Sequence, residues 1–143
     1  MANPESKILS SVTMLHYGEY EQWNRSSKKL PSLKHICTDI PVHLNAEFGY
    51  TLLIKGLKGK TISFTIQHPP FKDEHGNISP DFTGEVFINS NAFTFYLGDC
   101  IWEPIEDKIG LWRLITHIEN ICIADKTLNI YQQFPEEEYD LDW

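Results

Sequence analysis

Gly110-Leu111-Trp112-Arg113-Leu114-Ile115-Thr116-His117-Ile118, then Glu119-Asn120, then the run from Ile121 to Tyr131, decides the fold. Two apolar stretches flanking a two-residue break are the pattern of a β-hairpin. Asn120 suits the positive φ that a tight hairpin turn demands. Trp112, Leu114 and Ile118 share one face of the first strand, and Cys122, Ala124, Leu128 and Ile130 share one face of the second. Lys126 falls in register with that second set, so the sequence predicts a bulge near Asp125-Lys126. Asp107, a short gap, Gly110 and an aromatic strand together resemble the start of an inner strand in an antiparallel sandwich.

Outward from the hairpin the same period of two recurs. Phe48, Tyr50, Leu52 and Ile54 alternate with Gly49, Thr51, Leu53 and Lys55, and Ile62, Phe64 and Ile66 alternate with smaller polar residues. A helix would separate Phe64 from Ile62 and Ile66, so strands are expected. Gly56-Leu57-Lys58-Gly59 reads as a hairpin turn between them. His68-Pro69-Pro70 ends the second strand, because proline donates no backbone hydrogen bond. Residues 69–84 form a long loop, Glu85 to Asn89 a strand, and Ser90-Asn91 a turn into a strand carrying Phe93, Phe95 and Leu97. Asp99 to Asp107 is a loop around Trp102 and Pro104. Near the start, Ile8 to Tyr20 reads as one strand, with Val12, Met14 and His16 on one face and Leu15, Tyr17 and Glu19 on the other. Residues 21–33 are a polar loop, and Lys34 to Ile40 is a short strand before Pro41. Repeated short strands without helical crossovers predict an all-β, antiparallel, two-sheet immunoglobulin-like β-sandwich of about 7–9 strands. The expected organisation is a flexible N-terminus at 1–7, one sandwich domain at 8–134 and an acidic C-terminal tail at 135–143.

Composition narrows the function classes. The chain has 143 residues, enough for one domain with a buried core. Its net charge is −8, and five of those charges are Glu136, Glu137, Glu138, Asp140 and Asp142, which leaves residues 1–135 at −3. Phosphate backbones and anionic membranes repel such a chain, so neither nucleic acid nor membrane is an expected partner. Arg25, Lys28, Lys29 and Lys34 form the one basic concentration and read as a solvated loop. No apolar run approaches the ~20 residues that span a bilayer, and the first residues lack a leader pattern. Cys37, Cys100 and Cys122 are odd in number and widely spaced. They read as reduced, mostly buried thiols of a cytoplasmic protein.

An ordered set of short motifs runs through the chain. It comprises Gly18-Glu19-Tyr20, Thr38-Asp39-Ile40-Pro41, Glu47-Phe48-Gly49-Tyr50, Ile66-Gln67-His68-Pro69-Pro70, Gly84-Glu85-Val86, Tyr96-Leu97-Gly98-Asp99, Trp102-Glu103-Pro104 and Gly110-Leu111-Trp112-Arg113. Over residues 12–131 this set resembles an uncharacterised bacterial family, a domain of unknown function numbered 3859. The resemblance implies a small β-sandwich and no particular activity, and it carries over no catalytic residue.

Read for chemistry, His68 with Asp73, Glu74 and His75 is the densest polar cluster, a set of types that can bind a metal or exchange protons. Its consecutive residues diverge in a glycine turn, and no helical His spacing or calcium-loop pattern is present, so a solvated turn is the better reading. Asp99, Cys100, Glu103, Glu106 and Asp107 form a second group, in which Cys100 would need a base partner to act as a nucleophile. Here a buried thiol beside a turn is the better reading. Gly59-Lys60-Thr61 only superficially resembles a phosphate loop, because its glycine spacing is short and a strand follows. Trp23 and Trp102, in loops, are candidates to stack on a ligand or anchor a partner, whereas Tyr96 and Trp112 are expected in the core. Tyr139, Leu141 and Trp143 would be the anchors if the acidic tail docks on a basic groove. The balance favours a non-catalytic binding or protein-interaction module for a protein or small-molecule partner, with exposed sheet edges that permit a homodimer. The alternatives are a small enzyme or metal-binding protein using the 68–75 or 99–107 loop, and a ligand sandwich with an apolar pocket between its sheets. Expected contact residues are Trp23, His68, Asp73, His75, Asp99, Trp102, Glu103, Tyr139 and Trp143, with no cofactor and no assigned catalytic or metal-ligating residue.

Overall fold

The computed structural model describes residues 3–133. The acidic tail, with Tyr139 and Trp143, lies outside them. A short helix α1 (Pro4–Ser10) precedes nine strands: β1 (Val12–Tyr20), β2 (Leu33–His35), β3 (Asp39–Pro41), β4 (Glu47–Lys55), β5 (Thr61–Gln67), β6 (Phe82–Phe87), β7 (Ala92–Cys100), β8 (Gly110–Ile118) and β9 (Ile121–Tyr131). They form two sheets, ordered β2-β1-β4-β7 and β3-β9-β8-β5-β6. Every named pair is antiparallel except β3 with β9, which is parallel.

The two inner faces meet along the residues whose alternation marks them as apolar. Phe48, Tyr50, Leu52 and Ile54 of β4 are fully buried against Ile62 of β5 and Trp112, Leu114 and Ile118 of β8. The Phe48 and Trp112 rings meet edge to face with centroids 5.1 Å apart. The phenol of Tyr50 bonds the Thr116 hydroxyl at 2.5 Å, so this buried polar pair satisfies itself.

The hairpin of β8 and β9 turns at Glu119 and Asn120, both with positive φ (52° and 65°), as a two-residue turn of this hand requires. The bulge is displaced from its expected place. Leu114 faces Lys126 and Thr116 faces Ala124 in unbroken register, whereas His117 faces Cys122, which leaves Ile123 as the extra residue. Lys126 therefore does point to the inner side. Its ammonium lies 3.7 Å from the centre of the Tyr17 ring, which replaces the lost hydration with the negative face of an aromatic. The same bulge turns Cys122 outward, and Cys37 and Cys100 are half-buried, so the expectation of mostly buried thiols is not met.

Three further differences have local causes. Residues 4–10 are helical, not frayed: the Asn3 side chain accepts from the Ser6 N–H at 2.7 Å, Pro4 fits the first turn, and Ile8 is buried. In β1 a bulge at Leu15 reverses the later faces, so Tyr17 joins Val12 and Met14 against the core and His16 is exposed. Gly56 to Gly59 is not a hairpin turn, because β4 and β5 belong to different sheets. It crosses between them, held by Gly59 N–H to Ile88 O at 2.8 Å. Likewise Lys34 to Ile40 divides into β2 and β3, one in each sheet. No helix among the described residues is long and apolar enough to cross a membrane.

Candidate functional site

The loops at 69–81 and 101–109 lie at one end of the sandwich and enclose a cleft of about 550 Å³. Its apolar wall consists of Phe71, Phe82 and Trp102. Phe71 is buried, and its ring stands edge to face against Trp102 with centroids 5.2 Å apart. Trp102 remains 37% exposed and backs onto the core through Trp112, at 6.4 Å. Lys108, only 1% exposed, projects from a single 3-10 turn at Glu106–Lys108. Its ammonium lies 4.7 Å from the Phe71 ring centre and 4.6 Å from that of Trp102, and donates to Pro104 O at 3.0 Å and Asp107 Oδ1 at 2.6 Å. An internal cation thus ties the two loops together through both rings. The Lys108 carbonyl in turn accepts from the Trp112 indole N–H at 2.9 Å, which anchors the turn to the core.

His68 stacks under this cleft, 4.2 Å from Phe71 and 4.7 Å from Phe82. Its Nδ1 faces Pro69 O at 2.7 Å and its Nε2 faces Pro80 O at 2.8 Å. Each ring nitrogen is set against a carbonyl oxygen, and the one that carries the hydrogen donates to it, which braces the loop. Asp73, Glu74 and Glu103 lie on the rim. The Asp73 carboxylate accepts from the backbone of His75 and Asn77 at 2.9 and 3.0 Å, a turn-forming role. His75 is largely exposed, beside Glu74. Among the described residues no three His, Cys, Asp or Glu side chains gather closely enough to hold a metal ion. The structure thus unites His68, Asp73, Trp102 and Glu103 of the sequence candidates at one end, and leaves His75 outside.

Trp23 and Asp99 belong to a different constellation, centred on a residue that the sequence does not flag. Glu47 is fully buried on the outer face of the first sheet, beneath the loop at 21–32. Arg25 grips it with two bonds of 3.1 and 2.8 Å, the Trp23 N–H reaches it at 3.3 Å, and the Tyr96 hydroxyl donates to it at 2.5 Å. Arg25 is therefore a structural partner and not a solvated loop residue. Tyr96 is buried, as expected, and its ring meets Trp23 edge to face at 5.1 Å. Burial pushes the Asp99 carboxyl up to about 6, against the opposing pull of the Cys100 N–H and Arg25. Burial, and next the Glu47 carboxylate, also push the Cys100 thiol up, the direction opposite to that of an activated cysteine. Sequence reasoning misses Glu47 because the alternation that marks the strand begins one residue later, at Phe48, which leaves Glu47 in the connection before it.

A third feature is a slot of about 370 Å³ at the open side of the sandwich, lined by Phe64, Ile66, Val86, Phe93, Phe95 and Leu97, with Trp23, Arg25 and Leu30 at its rim.

A family model described as "Domain of unknown function (DUF3859)" matches residues 9–130. No curated protein matches the chain in sequence. Among solved structures, an immunoglobulin-like protein from Pseudomonas aeruginosa superposes with a TM-score of 0.67 at 21% identity, over 83% of this chain and 95% of that one. At that identity the likeness shows the fold alone, an all-β immunoglobulin-like sandwich. The alkylpurine DNA glycosylase AlkC of Pseudomonas fluorescens, bound to DNA containing an abasic site analog, aligns with a TM-score of 0.40 at 9% identity, over 85% of this chain and 30% of that one. A likeness that low carries no argument.

Proposed function

The chain belongs to the DUF3859 family, whose description names no activity, and on the chain's own geometry we propose a non-catalytic binding or protein-interaction module. The observation that carries this reading is Trp102, exposed at the mouth of a cleft yet held from behind by Phe71, Lys108 and Trp112. A rigid, partly wet aromatic between two loops on a stiff scaffold offers large contact area at small entropic cost. The rim carries both signs, with Lys72 beside Asp73, Glu74 and Glu103, which suits a polar segment of a partner protein better than a small ion. The thiols of Cys37, Cys100 and Cys122 are all free, which supports a reducing, cytoplasmic setting.

The test is capture from the native cell lysate by the wild-type chain and by Trp102→Ala, followed by titration of the recovered partner against both. The expected result is a partner whose affinity falls at least tenfold, about 1.4 kcal/mol, in the variant. Equal binding by both proteins removes the cleft from the reading. Turnover of ester, phosphate or glycoside substrates that Cys100→Ala or His68→Ala abolishes would replace the module with an enzyme.

A further inference from the structure

We propose that the slot between the edges of β6 and β7 binds a small organic anion, a carboxylate on an apolar body of roughly ten to fifteen non-hydrogen atoms. β6 and β7 each end a sheet on the same side of the sandwich, and the slot of about 370 Å³ opens between them, apart from the Trp102 cleft. The edge of β7 is recessed there. Phe95, Tyr96 and Leu97 are at most 5% exposed, and Trp23, Arg25 and Leu30 stand over the outer side. The edge of another sheet does not reach into such a recess, whereas a small molecule does. The floor is Ile66, Phe95 and Leu97, all buried, and the walls are Phe64, Val86 and Phe93, which are only half-buried. Covering that remaining apolar surface drives the binding. The tip of the Phe64 ring packs over Gly84, where a Cβ would lie 2.5 Å from it, and this contact holds the ring against β6.

The sign of the occupant follows from the rim. Among the described residues that line the slot, Arg25 alone is charged. It donates to both Glu47 oxygens at 3.1 and 2.8 Å and faces Trp23 O at 3.5 Å. Among the described residues no acceptor meets its Nε–H or the second hydrogen of Nη2, on a side chain 42% exposed. Glu47 balances the charge of Arg25 itself. The excess comes from Lys28 and Lys29, beside Leu30, against Glu21, so residues 21–32 are net positive in a chain of net charge −8. β7 adds neutral donors: it pairs with β4 alone, so every second N–H of Phe93 to Gly98 faces the slot. A carboxylate at the mouth accepts from these groups, and an ammonium there meets like charge. An aromatic acid and a short alkanoic acid share this chemistry.

Calorimetric titration of the full chain with naphthoate and with octanoate, each beside its neutral alcohol, naphthalenemethanol or octanol, tests the assignment. The expected result is one molecule per chain, a Kd on the order of 100 μM or tighter for the preferred acid, and binding at least tenfold weaker for its alcohol. Tighter naphthoate supports an aromatic acid and tighter octanoate an alkanoic one. Amide resonances of Phe93 to Gly98 and the Trp23 indole are expected to shift, and those of Trp102 to stay. Val86→Trp fills the slot and is expected to lower affinity for both acid and alcohol at least tenfold. Thr94 is exposed and lines the slot, so Thr94→Asp sets a carboxylate at the mouth without repacking, and decides the matter if Val86→Trp unfolds. It is expected to weaken the acid at least tenfold and to leave the alcohol unchanged. No binding of either acid at about 1 mM, equal affinity for acid and alcohol, or shifts centred on Trp102 overturns the proposal. Trp102→Ala leaves acid binding unchanged, so this result and that for the cleft are read separately.

Discussion

Glu47 is fully buried, and its neighbours satisfy its side-chain oxygens. Arg25 supplies two bonds, Trp23 a backbone N–H and Tyr96 a hydroxyl. Because Arg25 is 42% exposed, the pair itself contributes modestly, but removing Arg25 strands a buried carboxylate. Arg25→Ala is expected to cost about 2 kcal/mol in urea unfolding and to loosen the 21–32 loop, read as faster exchange at Trp23. A loss under 0.5 kcal/mol would mean that water takes the place of the guanidinium at Glu47. Asp99 makes the opposite prediction in pH. Its folded value of about 6 lies above the ordinary 3.8, so the native state holds the proton more tightly than the unfolded chain. No penalty exists below pH ~4; stability falls as pH rises from there to ~6, by at most roughly 3 kcal/mol, and stays lower above. Asp99→Asn keeps the oxygen that accepts from the Cys100 N–H, and is expected to flatten this dependence and to be more stable than wild type at pH 7.5 but not at pH 4.

At the scale of elements, single residues decide which face a strand shows. Ile123 and Leu15 are each one residue more than their partner strands can match, and each reverses every later side chain. The alternation of Phe48, Tyr50, Leu52 and Ile54 was legible because β4 runs without a bulge between two neighbours. The faces of β1 and β9 were not, because period two gives the parity of a strand and not the place where it breaks. The β4–β7 pair shows a related constraint. The Tyr96 hydroxyl reaches Glu47 across Gly98, where a Cβ would come within 2.2 Å of that oxygen and 2.3 Å of Phe48 O. Gly98→Ala is therefore expected to destabilise by about 3 kcal/mol, since a backbone carbonyl cannot step aside. Melting at the wild-type temperature would show that β7 shifts outward at its edge.

For the molecule as a whole, the two indoles at the cleft end have separate parts. Trp112 is fully buried with its N–H bonded, and Trp112→Ala is expected to cost about 3–5 kcal/mol. Trp102→Ala is expected to cost nearer 1 kcal/mol while removing binding, so equal losses would make Trp102 a core residue and weaken the module reading. A chain ending at Pro135 is expected to melt within about 1 kcal/mol of the full chain, because Glu136, Glu137, Glu138, Asp140 and Asp142 make a poor core. A larger drop would show that the tail packs on the sandwich. Of the candidate site, Trp102, Glu103, Asp73 and His68 were legible as loop residues of the right chemistry. Phe71, Phe82 and above all Lys108 were not, because an aromatic or a lysine in a loop says nothing about what the other loop will bring against it.

The sequence by itself determined the class of fold: alternation at period two, prolines that stop ladders, and a turn pair with positive φ are local requirements that any sandwich of this chain must meet. It also determined the mild charge of the domain and the acidity of its end. Only the tertiary structure decided that β4 and β5 part into different sheets, that β3 runs parallel to β9, that Glu47 is buried under Arg25, and that Lys108 lies between Phe71 and Trp102. The physical reason is the same for each. These outcomes depend on which distant surface arrives opposite a residue, through burial and charge pairing over tens of positions, and local pattern carries no record of that distance.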